Sequence, residues 1–293
     1  MKNLSVISAP STLGLKPSGV EELPRALKEQ GLLERLGAID AGTVVPGKYY
    51  YDRSIVYKTL NASGIIDYTL NLSYRVAKMI KEERFPLVLG GDCSITLGNM
   101  LGLRKAKFGK MGLIYIDGHA DFYEPEKSPT GEIADMSLGF LTGRGPDALT
   151  SYEFYKPLVY DANTILFGYR DEEESKKDGS RDVRETQILS IDCDQIKSKG
   201  VNNLSDICLE RLSNLSGFWI HLDVDVLDDK LMPAVDYRMP KGLSYTELGF
   251  VMKKLINSRK CLGMDVTIFN PKLDYKDKRI AKELTSFIVD VLS

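Results

Sequence analysis

Two short stretches carry residues whose types and spacing could do chemistry. In Ile114-Tyr115-Ile116-Asp117-Gly118-His119-Ala120-Asp121, an apolar run of the kind expected for a buried parallel strand ends in Asp117, His119 and Asp121 at every second position. Alternate side chains of an extended chain share a face, so the three are expected to converge at the strand end. Carboxylate and imidazole ligands gathered in that way suit a divalent metal; the alternative is a polar loop after a buried strand. The second stretch, Phe218-Trp219-Ile220-His221-Leu222, leads into Asp223-Val224-Asp225. Two carboxylates buried side by side are costly unless a cation compensates them. Together the two strand ends offer four carboxylates and one imidazole. That is enough for two ions sharing bridging carboxylates, the arrangement that generates a metal-bound hydroxide.

The elements that must position these residues alternate along the chain. Residues 4–7, 86–89, 164–168, 187–191 and 261–269 read as strands, besides the two already named. Residues 19–36, 65–83, 94–103, 205–212, 244–255 and 277–292 read as helices, and Ser244 with Glu247 forms a capping box. Such alternation implies a parallel sheet with helices on both faces and sites beyond the carboxyl ends of its strands. Gly90-Gly91-Asp92-Cys93-Ser94 follows one strand without forming a dinucleotide fingerprint, and places Cys93 at a strand-to-helix junction. By itself, a cysteine there reads as a small buried residue. His221 has the strand parity of Asp223 but sits deeper, and reads as a core residue. Residues 122–136 form a long loop directly after the first motif, where substrate contacts are expected; it includes Glu132. Residues 42–61 are Tyr-rich without a clear period, and residues 175–184 read as an exposed, mobile insert.

Length and composition bound the function. The 293 residues, 43% of them apolar, suffice for one large α/β domain spanning 1–293 or two smaller ones, and the former is expected. A net charge of -2 gives no reason to expect a nucleic acid or an anionic membrane as partner. No apolar run reaches membrane-spanning length, and the N-terminus is too short and polar for a signal peptide. Cys93, Cys193, Cys208 and Cys261 form no close pair, which argues against a zinc ribbon or a redox dithiol and fits a cytoplasmic location.

Taken in order, the motifs resemble the ureohydrolase superfamily of arginases, agmatinases and formimidoylglutamases. The resemblance covers almost the whole chain, from Gly19-Val20-Glu21 through the three strand-end motifs to Asn270-Pro271. It implies a three-layer α/β/α sandwich with a mainly parallel sheet, assembled into trimers or hexamers. It also implies two Mn2+ ions sharing a hydroxide that attacks the central carbon of a guanidinium or amidine group. By position, Asp117 and Asp223 resemble the bridging carboxylates. Asp121 would complete the shell of the first ion and shuttle a proton, and His119 and Asp225 would hold the second ion. Glu173 resembles an acid that contacts the substrate's amino group.

Three positions depart from the family pattern. Cys93 stands where the family usually has a histidine ligand. A thiolate there prefers a softer ion such as Zn2+, which leaves a thiolate-ligated dimetal site, a single ion beside His119, or an empty site. Ile268 stands where arginases and agmatinases carry a Glu that pairs with the guanidinium. Ala134 replaces a histidine thought to move protons, and only His119 and His221 exist in the chain. The expected activity is therefore metal-dependent hydrolysis of a non-peptide C–N bond in a small amidine, guanidino or amide substrate other than arginine. Two rivals are a metal-poor, non-catalytic homologue acting as a binding or regulatory protein, and a thiol enzyme using Cys93 as nucleophile.

Overall fold

The computed structural model describes residues 3–293. In chain order its elements are β1 (Leu4–Ala9), α1 (Leu23–Glu29), α2 (Leu32–Leu36), β2 (Ile39–Thr43), α3 (Ala62–Lys81), β3 (Phe85–Gly90), α4 (Ile95–Ala106), β4 (Met111–Ile116), α5 (Ser137–Leu141) and α6 (Asp147–Thr150). There follow β5 (Thr164–Tyr169), α7 (Glu172–Lys177), β6 (Leu189–Asp192), α8 (Cys193–Lys199), α9 (Val201–Leu212), β7 (Gly217–Asp223), α10 (Tyr245–Ile256), β8 (Cys261–Thr267) and α11 (Arg279–Leu292). The eight strands form one sheet in the order β2-β1-β3-β8-β7-β4-β5-β6. Every pairing within it is parallel.

Continuous apolar runs such as Phe85–Gly90 are buried along their whole length, as strands covered on both faces must be. Alternate residues divide between two cores. Leu87, Leu89, Ile114, Ile116, Ile220 and Leu222 pack with α1, α9, α10 and α11 on one face. Val88, Leu113, Tyr115 and Trp219 pack with α3, α4 and α5 on the other. The expected three-layer α/β/α sandwich is thus the observed one.

Local differences have physical causes. The helix expected over 19–36 is broken at Gly31, whose φ of 76° lies in the left-handed region, into α1 and α2. The edge strand β2 shows no buried face for a pattern to betray. Helix α8 is set by a reciprocal capping box between Asp192 and Gln195 rather than by apolar spacing. Residues 175–184 are tied down more than expected: α7 covers their start, Val183 is buried, and Arg184 pairs with Glu172 at 2.9 Å.

The strand order decides where the site lies. Strands β3, β8, β7 and β4 are consecutive neighbours, so their carboxyl ends bring together segments far apart in sequence. Register aligns Tyr115 with His221 and His221 with Asp265, one row across three strands.

Candidate metal centre

Strand β4 ends at Ile116, and the chain then turns rather than running on extended. The Asp117 carboxylate accepts from the His119 amide at 2.6 Å. Gly118 is required at this turn, because a Cβ there would lie 2.6 Å from the Arg170 guanidinium and 2.8 Å from the Asp225 carbonyl. Asp121 has φ 47°. The alternation expected of an extended chain therefore holds as far as His119 and is lost at Asp121. On β7, Asp223 is the last strand residue, and its carboxylate accepts from the Asp225 amide at 2.8 Å. Gly91, after β3, allows the chain to press on β1's exit: a Cβ would sit 1.8 Å from the Ser11 carbonyl oxygen. That close approach sets Cys93 beside Asp223.

Two groups of donor atoms result, each gathered within 4.8 Å: Cys93, Asp117, His221 and Asp223, all buried, and Asp117, His119 and Asp225. Asp117 belongs to both. In the first, the Cys93 thiol donates to Asp223 at 2.9 Å. In the second, His119 Nδ1 lies 3.0 Å from Asp225 and 3.7 Å from Asp117. Asp121 falls outside both groups, and its carboxylate accepts from the Tyr115 hydroxyl at 2.5 Å.

The electrostatics are those of an acid cluster in need of a cation. Burial and then the Asp117 charge push Asp121 well above the usual carboxylate range. Burial and the Asp225 charge do the same to Asp223. Burial also opposes ionisation of Asp117, but the two imidazoles beside it outweigh this and hold it low. Burial, then neighbouring carboxylates, push the Cys93 thiol up. One Asp117 oxygen, Oδ2, is buried without a hydrogen-bond partner, as is His221 Nε2. Such orphans are rare in folded proteins and point to an absent partner. The donor set, carboxylates with imidazole and thiol, fits divalent ions.

A cavity of about 330 Å³ opens above this cluster. Cys93, His119, Asp121, Asp223 and Asp225 reach it from below, and Glu132, Asp135, Asp171, Glu174, Asp236, Arg238 and Ile268 contribute to the wall. Glu132 is therefore at the cavity, held by the Tyr237 hydroxyl at 3.3 Å. Glu173 is exposed and outside the wall, and its neighbour Glu174 lines it. Ile268 occupies the wall with φ 72°, unusual for a β-branched residue.

Sequence reasoning missed two positioning residues and one donor. Arg170 donates to the carbonyls of Asp225, Leu227 and Met239 at 2.7, 3.2 and 3.0 Å, pinning the loop after β7. Asp171 accepts from the Ala120 amide at 3.1 Å. Both lie in the charged run after β5, which was the available signal. The third is His221, read as a core residue: only its Nδ1 is satisfied, by Asp265 at 2.5 Å and Thr96 at 2.8 Å. Burial disfavours the charged ring, but Asp265 and Asp117 outweigh it and push its pKa up to about 9.

The whole chain has relatives. A family model described as the arginase family matches residues 2–292. Curated arginases from Staphylococcus aureus (strain MRSA252) and Bacillus subtilis (strain 168) are 32% and 30% identical; each match covers 94% of this chain, and 92% and 93% of the relative. The solved arginase structures from Bacillus cereus and Bacillus caldovelox superpose with TM-scores of 0.88 and 0.89 at 29% identity, each over 100% of this chain and 99% of theirs. A formimidoylglutamase from Bacillus subtilis shares the fold at 18% identity and a TM-score of 0.73, over 100% of this chain and 86% of its own. With a family match from end to end and relatives above 30% identity, the chain belongs to the arginase family, within the ureohydrolase superfamily.

Proposed function

We propose that this chain hydrolyses a non-peptide C–N bond of a small linear substrate, using two divalent ions at the strand-end cluster. The observation that carries this reading is the sharing of Asp117 between two donor groups at the floor of one cavity. Bound there, the ions would lower the pKa of water and supply a nucleophile at neutral pH. Cys93, Asp117 and Asp223 would hold one ion, and Asp117, His119 and Asp225 the other. Asp121, held by Tyr115 and open to the cavity, is placed to accept and pass on a proton, its high proton affinity set by burial and Asp117. Manganese is the ion the family resemblance implies; the Cys93 thiolate favours a softer one.

The substrate reading follows from the wall. Where a Glu would pair with a guanidinium there is Ile268, which offers no charge. Beyond the ligands the wall carries Glu132, Asp135, Asp171, Glu174 and Asp236 against the single guanidinium of Arg238, itself paired with Asp229 at 3.3 Å. That lining favours a substrate with a cationic tail and repels a carboxylate, so arginine fits poorly. Glu132 and Glu174 are the wall acids proposed to meet the cation. The relatives named arginase favour the second reading, arginine itself. A non-catalytic role is disfavoured, because the buried acids would then lack compensation. The exposed apolar side chains of Val45, Tyr51, Ile55 and Val56, before α3, offer a surface for a homo-oligomer. No described helix is long and apolar enough to cross a membrane; four buried cysteines suit a cytoplasmic location.

The test is turnover by protein reconstituted with Mn2+, Zn2+ or Co2+, read as urea, ammonia or amine release. The substrates are guanidino, amidino and amide compounds ending in an amine, set against arginine. Faster turnover of amine-ended compounds supports the reading. Arginine as the best substrate overturns the substrate class, and no release from any compound with any ion overturns the activity.

A further inference from the structure

We propose that His221 Nε2 is a metal ligand, and that with Cys93 Sγ, Asp117 and Asp223 it forms a buried four-donor pocket that selects Zn2+ or a similarly borderline-soft ion over Mn2+. The inference deepens the reading of the cluster as a metal centre and rests on it.

Four observations meet at this residue. His221 is fully buried on β7, and its Nε2 has no hydrogen-bond partner. The nearest acid oxygen, Asp117 Oδ2, is also buried and unpartnered, and lies 3.8 Å away. That is too long for a hydrogen bond, but close to the spacing of two ligands on one tetrahedral ion, roughly 3.3–3.6 Å. The opposite ring nitrogen is fixed: Nδ1 meets Asp265 at 2.5 Å, and Asp265 also accepts from Asn99 at 2.9 Å and Trp219 at 2.5 Å. A carboxylate with three donors stays an acceptor, so Nδ1 keeps its proton, and Nε2 is the nitrogen that gives its lone pair towards Asp117 once an ion displaces its own proton. A carboxylate behind an imidazole in this way is the usual support for a ligating histidine, setting its tautomer and orientation. Finally, Tyr115 stacks on the ring with centroids 4.0 Å apart, which prevents it from rotating away.

The donor chemistry then decides the ion. One sulfur, one imidazole and two carboxylates match four-coordinate zinc better than manganese, which favours more oxygen ligands. Asp121 is not needed in this shell; its carboxylate is held by the Tyr115 hydroxyl. On binding, the Cys93 proton now directed at Asp223 is released to solvent and the sulfur bonds to the ion.

The chain contains only two histidines, which makes the test direct. Tag-free His119→Gln protein, stripped of metal and given one equivalent of Zn2+, is measured by X-ray absorption. Any imidazole scattering around zinc then comes from His221. The expected result is one sulfur and one imidazole in a four-atom shell, with the sulfur lost in a Cys93→Ser second variant. A shell with sulfur but no imidazole overturns the His221 assignment and leaves the metal centre standing. A shell with neither sulfur nor imidazole overturns the pocket, and failure to bind any ion overturns the metal centre as well. Competition titrations of otherwise wild-type protein add a second measure. His221→Gln is expected to weaken Zn2+ binding by more than about 10-fold and to leave the weaker Mn2+ binding at His119 unchanged. Unaltered Zn2+ affinity in that variant overturns the assignment.

Discussion

The two donor groups share Asp117 but sit in different surroundings. Cys93, His221 and Asp223 are buried against the sheet and α4, with Asp265, Asn99 and Trp219 behind His221. His119 has a quarter of its side chain exposed, faces the cavity, and depends on a loop pinned by Arg170. The inner group is continuous with the core, so its geometry is fixed by packing. The outer group is fixed by hydrogen bonds to loops, so it is the one free to adjust to a substrate. Under the proposed function, the inner side is architectural and the outer side meets the substrate.

The strongest way to break this contrast is Asp117→Ala. Both groups lose a donor, so metal content falls on both sides and activity drops by more than about 100-fold; full retention of two ions, by elemental analysis, would show that Asp117 does not bridge. Chelation tests the difference in access. Metal release is expected in two phases, the outer ion first, with a total fall in Tm of about 5–10 °C by calorimetry. A single phase would mean the two positions are equally open.

Arg170→Ala sharpens the comparison from the loop side. Removing the donors to Asp225, Leu227 and Met239 is expected to destabilise the fold by about 2–4 kcal/mol in denaturant melts and to weaken the outer ion while sparing the inner. Equal weakening of both would place the loop under the whole centre. Ile268→Glu adds an acid to the cavity wall and is expected to lower KM for guanidino compounds about 10-fold, the worth of one charge-assisted hydrogen bond; an unchanged KM would put the substrate's reacting end elsewhere.

The smallest effect concerns Asp135 on the cavity wall. Burial pushes its pKa up to about 7, against two hydroxyl donors, Thr130 and Ser128. The folded protein therefore keeps a proton that the unfolded chain has released. That contribution to stability is fully present below pH about 4 and is lost as pH rises through about 7. Asp135→Asn flattens this part of the Tm–pH curve; an unaltered slope would assign it to other groups.

Much of this was readable in the residues. Apolar runs ending in acids placed β4 and β7, and the alternation with helices gave the layers, because buried parallel strands must be apolar throughout. Cys93, Asp117, His119, Asp223 and Asp225 do come together. Asp121 was harder, since extended-chain parity fails once φ turns positive there. His221 was harder still, because its role depends on Asp265, 44 residues away on the next strand, and no local pattern records that pairing. Arg170 is hidden for another reason: its acceptors are backbone carbonyls, which sequence does not display.

The strand order has a consequence for how the centre comes into being. Cys93 is 130 residues from Asp223, and β4 reaches its neighbour β7 only after β5 and β6 have been made. During synthesis the first acids and the thiol emerge long before their companions, and the last strand, β8, must insert between β3 and β7 to join the two halves. A nascent chain therefore offers no complete cage to a metal. Under the proposed function, loading therefore belongs to the closing event of folding.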